Sequence, residues 1–247
     1  MAGHSKWANI KFRKGAQDAK RGKIFTKLIR AITVAARDGG ADLGANPQLR
    51  LAIDKALQNN MKKDSIKRAI ESGVGGQSGD LQFARYDGYG PSGVAIMVDC
   101  FTNNKNRTVA EVRHAFSKYG GNMGADGSVS YMFKQVGLIK VASGITEDDL
   151  FELAVGAGAD DVVALFDGGF EVLTDVAHYQ DVKSALENTA AVIESSDTSW
   201  EADTMVTLDI DAATKVMKIV HVLEDLDDVQ NVYTNADIPE DVLAEMD

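Results

Sequence analysis

One cysteine, Cys100, stands among 247 residues. A single thiol excludes an internal disulfide framework and every zinc or iron–sulfur site that needs several cysteines. Low cysteine use and the lack of a secretory h-region fit a reducing, cytoplasmic setting. No stretch approaches 18 apolar residues, so no membrane-spanning helix is expected. Ala2 separates Gly3 from the initiator, which argues against N-myristoylation. Histidine is scarce too: His4, His114, His178 and His221 are scattered and show no H-E-x-x-H spacing. Neither a metal nor any other cofactor is expected. His4 stands beside Ser5 without an acid to orient it, so a nucleophile–base pair is not expected there. Cys100 closes an apolar run and reads as a small core residue rather than a reactive thiol.

What the chain does have is charge, unevenly spread. The apolar fraction is 45%, ordinary for a globular protein. The formal net charge of −11 would argue against a nucleic-acid partner. However, residues 1–72 carry 16 Lys/Arg against 6 Asp/Glu, a net of +10, and residues 73–247 carry 10 against 31, a net of −21. Such asymmetry predicts one surface built for an anionic partner.

The first 76 residues read as a small helical bundle ending in a glycine linker. Over Gly22–Arg37, Ile24, Phe25, Leu28, Ile29, Ile32, Ala35 and Ala36 share one helical face. Lys20, Lys23, Lys27, Arg30 and Arg37 share the opposite one. Membrane-surface helices share this pattern, but the helices that follow can cover the apolar face. Gly39–Gly40 should close this helix. Asn46 and Pro47 announce a second, as N-cap and first helical residue. A third should follow Asp64 and stop at Gly73. Residues 73–79 are glycine-rich and read as the linker.

After the linker the period changes to that of strands. Leu81–Tyr86 and Val94–Phe101 read as strands joined by a glycine-rich turn. A helix is expected from a capping box at Thr108 and Glu111 to Lys118, then a strand over Val129–Phe133. From Leu138 the order is β-α-β-β-α-β, with a hairpin around Asp167-Gly168-Gly169; this is the ferredoxin-like order. One helix (Ala212–Leu226) and one strand (Asn231–Thr234) remain, and they complete the piece begun near residue 80. The expected fold is therefore multidomain α+β: a three-helix head over 1–76, a discontinuous domain over 77–134 and 206–247, and an inserted ferredoxin-like domain over 135–205.

The loops argue against catalysis. Gly88-Tyr89-Gly90-Pro91-Ser92-Gly93 matches G-x-G-x-x-G by letter. A dinucleotide fingerprint must lead into a helix whose N–H groups meet pyrophosphate. Here the strand-like Val94–Val98 follows, so a hairpin loop is expected, with Tyr86 and Tyr89 available as a contact surface. The acidic clusters 147–149 and 224–228 read as solvated faces; the second lacks the spacing of a calcium loop.

The strongest constellation is N-terminal. Lys6-Trp7 and Lys11-Phe12-Arg13-Lys14 set cations beside aromatics. Phosphate attracts the cations, and Trp7 and Phe12 either stack on unpaired bases or pack the tail onto the bundle. Together with Lys20, Arg21, Lys23, Lys27 and Arg30 they form the expected nucleic-acid-binding set.

Met1–Trp7, Gln17–Lys27, Asn46–Met61, Tyr86–Pro91 and Asn106–Arg113 resemble the YebC/PmpR family of probable transcriptional regulatory proteins. The resemblance spans the chain and is most specific over residues 1–135. It implies a three-domain cytoplasmic DNA-binding regulator. Family members related to mitochondrial translational activators imply an alternative, a ribosome- or rRNA-associated factor that relieves stalled translation. In those relatives a presequence would precede the Gly-His-Ser-Lys-Trp motif; here it begins at Gly3, and no presequence is expected. The expected partners are DNA, or ribosomal RNA in the alternative, and ribosomal or transcription proteins through the acidic body. A monomer without membrane attachment or enzymatic turnover is expected. No helix-turn-helix with a polar recognition helix is visible.

Overall fold

The computed structural model describes residues 17–76, 81–165, 168–239 and 242, with side chains described from Gly22 onward. Two compact units emerge. One is Phe133–Asp203; the other takes the described residues up to Met132 and from Thr204.

The second unit opens with three helices, α1 (Gln17–Gly39), α2 (Pro47–Gln58) and α3 (Lys63–Val74). The amide of Leu49 donates to Asn46 Oδ1 at 3.0 Å, which caps α2. The same side chain donates through Nδ2 to the carbonyls of Ala35 and Gly40, both at 2.8 Å. The cap thereby stitches the end of α1 to the start of α2. Leu28, Ile32, Ala35 and Ala36 of α1 meet Leu49, Ala56, Met61, Ile66 and Ala69 in a core made of these helices and the α2–α3 turn. Ile24 and Ile29, expected on the buried face, lie at its margin and are each 40% exposed. Gly73 does not stop α3, which runs on to Val74. A Cβ at Gly73 would lie 2.4 Å from the Thr33 carbonyl, so glycine there permits the close crossing of α1 and α3. The Thr33 hydroxyl donates to the Ala69 carbonyl in the same crossing, at 3.2 Å.

The sheet of this unit contains β1 (Gln82–Tyr89), β2 (Ala95–Thr102), β3 (Asn122–Met123) and β9 (Val229–Thr234) in the order β3-β1-β2-β9, all antiparallel. β2 is central and buried over Ala95–Cys100, and its residues there are apolar save Asp99, whose carboxylate pairs with Arg85 at 2.7 Å. Helices α4 (Lys105–Lys118) and α7 (Ile210–Asp225) contribute Val112, Ala115, Phe116, Val216, Ile219 and Leu223 to the core. Two expectations are corrected. α4 is capped by Asn104, whose Oδ1 accepts the Arg107 amide at 3.1 Å, and not by Thr108, whose hydroxyl is drawn inward to a buried carboxylate. The strand expected over Val129–Phe133 is a short 3-10 turn, Ser130–Met132, with β4 beginning only at Phe133. The amides of Val129 and Ser130 donate to Asp87 Oδ2 at 3.0 and 3.1 Å, so a side chain takes bonds a ladder would have used.

The other unit contains β4 (Phe133–Val141), α5 (Glu147–Gly156), β5 (Asp161–Ala164), β6 (Phe170–Asp175), α6 (Tyr179–Glu187) and β7 (Ile193–Ala202). Its sheet order, β5-β6-β4-β7 and fully antiparallel, is ferredoxin-like. Thr146 caps α5, its hydroxyl oxygen accepting the Asp149 amide at 3.2 Å. Asp167 of the expected hairpin turn lies outside the described residues. A parallel pair, β8 (Val206–Thr207) with β10 (Ala236–Asp237), completes the α+β fold in the larger unit. No described helix is long and apolar enough to cross a membrane.

Candidate nucleic-acid interface

The cationic set divides by where it falls. Lys6, Trp7, Lys11, Arg13 and Lys14 lie outside the described residues, and Lys20 and Arg21 are described as α1 backbone only. Lys23, Lys27 and Arg30 are spaced i, i+4, i+7 and share one face of α1.

That face meets the C-terminal end of α7. Lys27 Nζ donates to the Glu224 carbonyl at 2.8 Å. Lys23 Nζ donates to the Asp225 carbonyl at 3.2 Å and to its Oδ1 at 3.0 Å. Arg30 donates to the Asp227 carbonyl and to Asp228 Oδ1, the latter at 3.0 Å. The last carbonyls of a helix lack intrahelical partners and carry the negative end of its dipole, so cations belong there. α7 has no basic residue in its last turn and ends on Glu224-Asp225. α1 supplies in space the cations that α7 lacks in sequence.

Asp228 is the buried anchor of this contact, at 2% exposure. Its Oδ2 accepts from Arg107, from the Thr102 hydroxyl at 3.1 Å and from the Thr108 hydroxyl at 2.7 Å. Burial pushes this carboxyl upward, yet hydrogen bonds from Arg107, Thr108 and Thr102 outweigh it and hold the group below its ordinary range. The expectation of a solvated acidic face over 224–228 is thus corrected at Asp228. Two arginines and two hydroxyls recruit it, and no local spacing announces them.

Sequence reading passed over a second basic group. Lys62, Lys63, Lys67 and Arg68, at the start of α3, are all exposed. Lys63 and Lys67 rim an apolar groove floored by Ile53, Leu57, Ile66 and Ile70. The signal was present as Lys62-Lys63 and Lys67-Arg68, but the denser run before residue 37 overshadowed it.

Gly88 and Tyr89 of the expected loop belong to β1, paired with Ile96 and Ala95; the chain then turns into β2 through a 3-10 turn at Pro91–Gly93. Gly90 N–H donates to the Val94 carbonyl at 2.7 Å, and Gly93 N–H to the Gly90 carbonyl at 3.2 Å. These amides are spent inside the loop, and β2 follows instead of a helix. Tyr89 donates its hydroxyl to the Ser128 carbonyl at 2.8 Å, and burial raises the Tyr86 phenol. Among the described residues no group of His, Cys, Asp and Glu is placed to hold a metal ion. Cys100 is buried, and its thiol is pushed up to about 12, first by burial and then by Asp99 and Asp228.

A basic three-helix head, an antiparallel sheet domain and a ferredoxin-like insert define a multidomain α+β protein. The model of the TACO1/YebC protein N-terminal domain matches residues 5–76, and that of the TACO1/YebC second and third domain matches residues 81–236. The chain belongs to the TACO1/YebC family. It is 57% identical to a probable transcriptional regulatory protein of Legionella pneumophila strain Philadelphia 1, over all 247 residues and the full length of both chains. It is 54% identical to one of Francisella tularensis strain SCHU S4, again over both full lengths. A crystal structure of a conserved hypothetical protein from Aquifex aeolicus superposes with a TM-score of 0.83 at 43% identity, covering 92% of this chain and 95% of that one.

Proposed function

We propose that the protein is a non-enzymatic, nucleic-acid-binding regulator of gene expression, acting on DNA as a transcriptional regulator in the cytoplasm. The observation that carries this reading is the division of charge, +10 over residues 1–72 against −21 over the remainder. The regulatory names of its full-length relatives support the same reading.

The binding surface in this proposal comprises Lys6, Trp7, Lys11, Arg13, Lys14, Lys20, Arg21, Lys23, Lys27 and Arg30. The exposed Lys62, Lys63, Lys67 and Arg68 extend it. Such contacts hold a phosphate backbone in register without reading its sequence. The buried thiol of Cys100 and the loop amides already bonded within Gly88–Gly93 support a role without turnover.

Crosslinking the intact protein in cells, followed by sequencing of the recovered nucleic acid, tests the proposal. Enrichment of DNA over RNA is expected. Enrichment of ribosomal RNA instead would replace transcription with a translational role and keep the head as the binding element. Recovery of neither would overturn nucleic-acid binding altogether.

A further inference from the structure

Nucleic acid is not the only anion within reach of the head. The face of α1 that carries Lys23, Lys27 and Arg30 is already bonded to carboxylates and carbonyls of the chain itself. We propose that the acidic segment Glu224–Asp228 is an internal competitor for nucleic acid: it occupies the phosphate-binding face of α1, and binding requires the head to undock from it. This inference rests on the nucleic-acid-binding reading above.

Three features support it. First, the match is chemical. A run of backbone carbonyls and carboxylates at a helix C-terminus offers lysines and an arginine what phosphate oxygens offer, anionic acceptors spaced along a line. Second, the contact can open. The head has its own apolar core, made of residues from α1, α2, α3 and their connections. The bonds from α1 to the acidic segment are polar, and polar interfaces between domains permit relative motion. Lys23 and Asp225 are about half exposed, at 47% and 51% of their side chains, and exposed pairs of that kind add little stability. Third, the contact has a fixed seat. Arg107, Thr102 and Thr108 hold Asp228 from the sheet side, so the acidic segment keeps its place whether or not the head is docked.

A ligand that needs a partly occupied face binds more weakly in proportion to the fraction of time that face is free. Weakening the dock while keeping every cation must therefore tighten binding. Asp225→Asn removes the carboxylate opposite Lys23 and leaves Lys23, Lys27 and Arg30 intact. Asp211→Asn makes the same change of charge at the far end of α7, where Asp211 pairs with Lys215 at 2.6 Å.

The experiment measures binding of the full chain to a short DNA duplex and to an RNA hairpin, at several salt concentrations. Hydrogen exchange is followed in parallel. Asp225→Asn is expected to bind up to roughly fivefold more tightly than wild type, and Asp211→Asn to bind like wild type. On binding, amides around 224–229 should exchange faster while those of α1 slow. Should Asp225→Asn match wild type, with Lys23→Ala/Lys27→Ala weakened, the head binds nucleic acid and the competitor is refuted. Equal tightening by Asp225→Asn and Asp211→Asn would also refute it, since net charge alone would then explain the gain. Binding by neither wild type nor Asp225→Asn would end the nucleic-acid reading, and the competitor with it.

Discussion

Arg30 of the head and Asp228 of the sheet domain meet at 3.0 Å, and only 3% of the aspartate side chain is exposed. Asp228 thus fastens two folding elements at once, because Arg107, Thr102 and Thr108 take its other oxygen. Removing one partner from a buried, hydrogen-bonded charge cluster leaves the others uncompensated. Asp228→Ala should cost about 3–5 kcal/mol, and Asp228→Asn less, since it keeps the volume and one acceptor. Urea unfolding followed by circular dichroism checks this. The depressed Asp228 carboxyl also fixes a direction with pH. Its contribution is present above its ordinary value of 3.8 and is lost as pH falls through the lower folded value.

Glu171 has the opposite sign. It is 7% exposed on β6. Its carboxyl is pushed up to about 7, first by burial and then by Glu201, with Lys140 working the other way. The folded state therefore holds a proton that the unfolded state releases near 4.5. Stability should fall as pH rises from about 4.5 to beyond 7, by on the order of 3 kcal/mol in all. Glu171→Gln should flatten the curve between about pH 5 and 8. Unfolding midpoints of the two proteins at those values test it, and parallel curves would show that Glu171 does not titrate in this window.

Lys23→Ala/Lys27→Ala should reduce the slope of log affinity against log salt by about 0.7–0.9 for each phosphate that is no longer neutralised. The order of preference among different nucleic acids should hardly change. Circular dichroism should show α1 intact, because both side chains point away from the core of the head. An unchanged slope would move the binding surface to the Lys6–Lys14 segment or to Lys62, Lys63, Lys67 and Arg68.

Gly88→Ala should destabilise the sheet domain by about 1–3 kcal/mol. A Cβ there would sit 2.6 Å from the Phe116 ring and 2.9 Å from the Asn122 carbonyl. Nucleic-acid affinity measured below the unfolding transition should be unaffected, because the loop is explained by packing. A selective loss of binding would give the loop a ligand.

Cys100 should resist alkylation in the native protein and react once urea unfolds it, since a buried thiol raised to about 12 holds almost no thiolate near neutrality. Mass spectrometry of the iodoacetamide-treated chain reads the outcome directly.

The elements with a clean period were legible in advance. The face of α1, the Asn46–Pro47 start of α2 and the β-α-β-β-α-β order all follow from spacing that neighbours in sequence enforce. What spacing hid were partners brought together by topology. Thr108 looks like an N-cap because Glu111 follows at the right distance. Its hydroxyl goes instead to Asp228, 120 positions away, and Asn104 takes the cap. The Val129–Phe133 run has the composition of a strand, but the carboxylate of Asp87 bends it into a turn. The cations of α1 were visible as a stripe, and the acidic end of α7 as a cluster. Nothing local indicated that the two are bonded to each other.

The order of the sheet also sets a timetable for synthesis. β9 lies beside β2 but is encoded more than a hundred residues after it, with a complete ferredoxin-like unit between. Lys27 precedes its acceptor at Glu224 by 197 positions. At roughly 5–20 residues per second, the head leaves the ribosome about 7–30 seconds before the segment that its cations bond. Through that interval the acidic segment that α1 bonds in the finished fold has not yet been made.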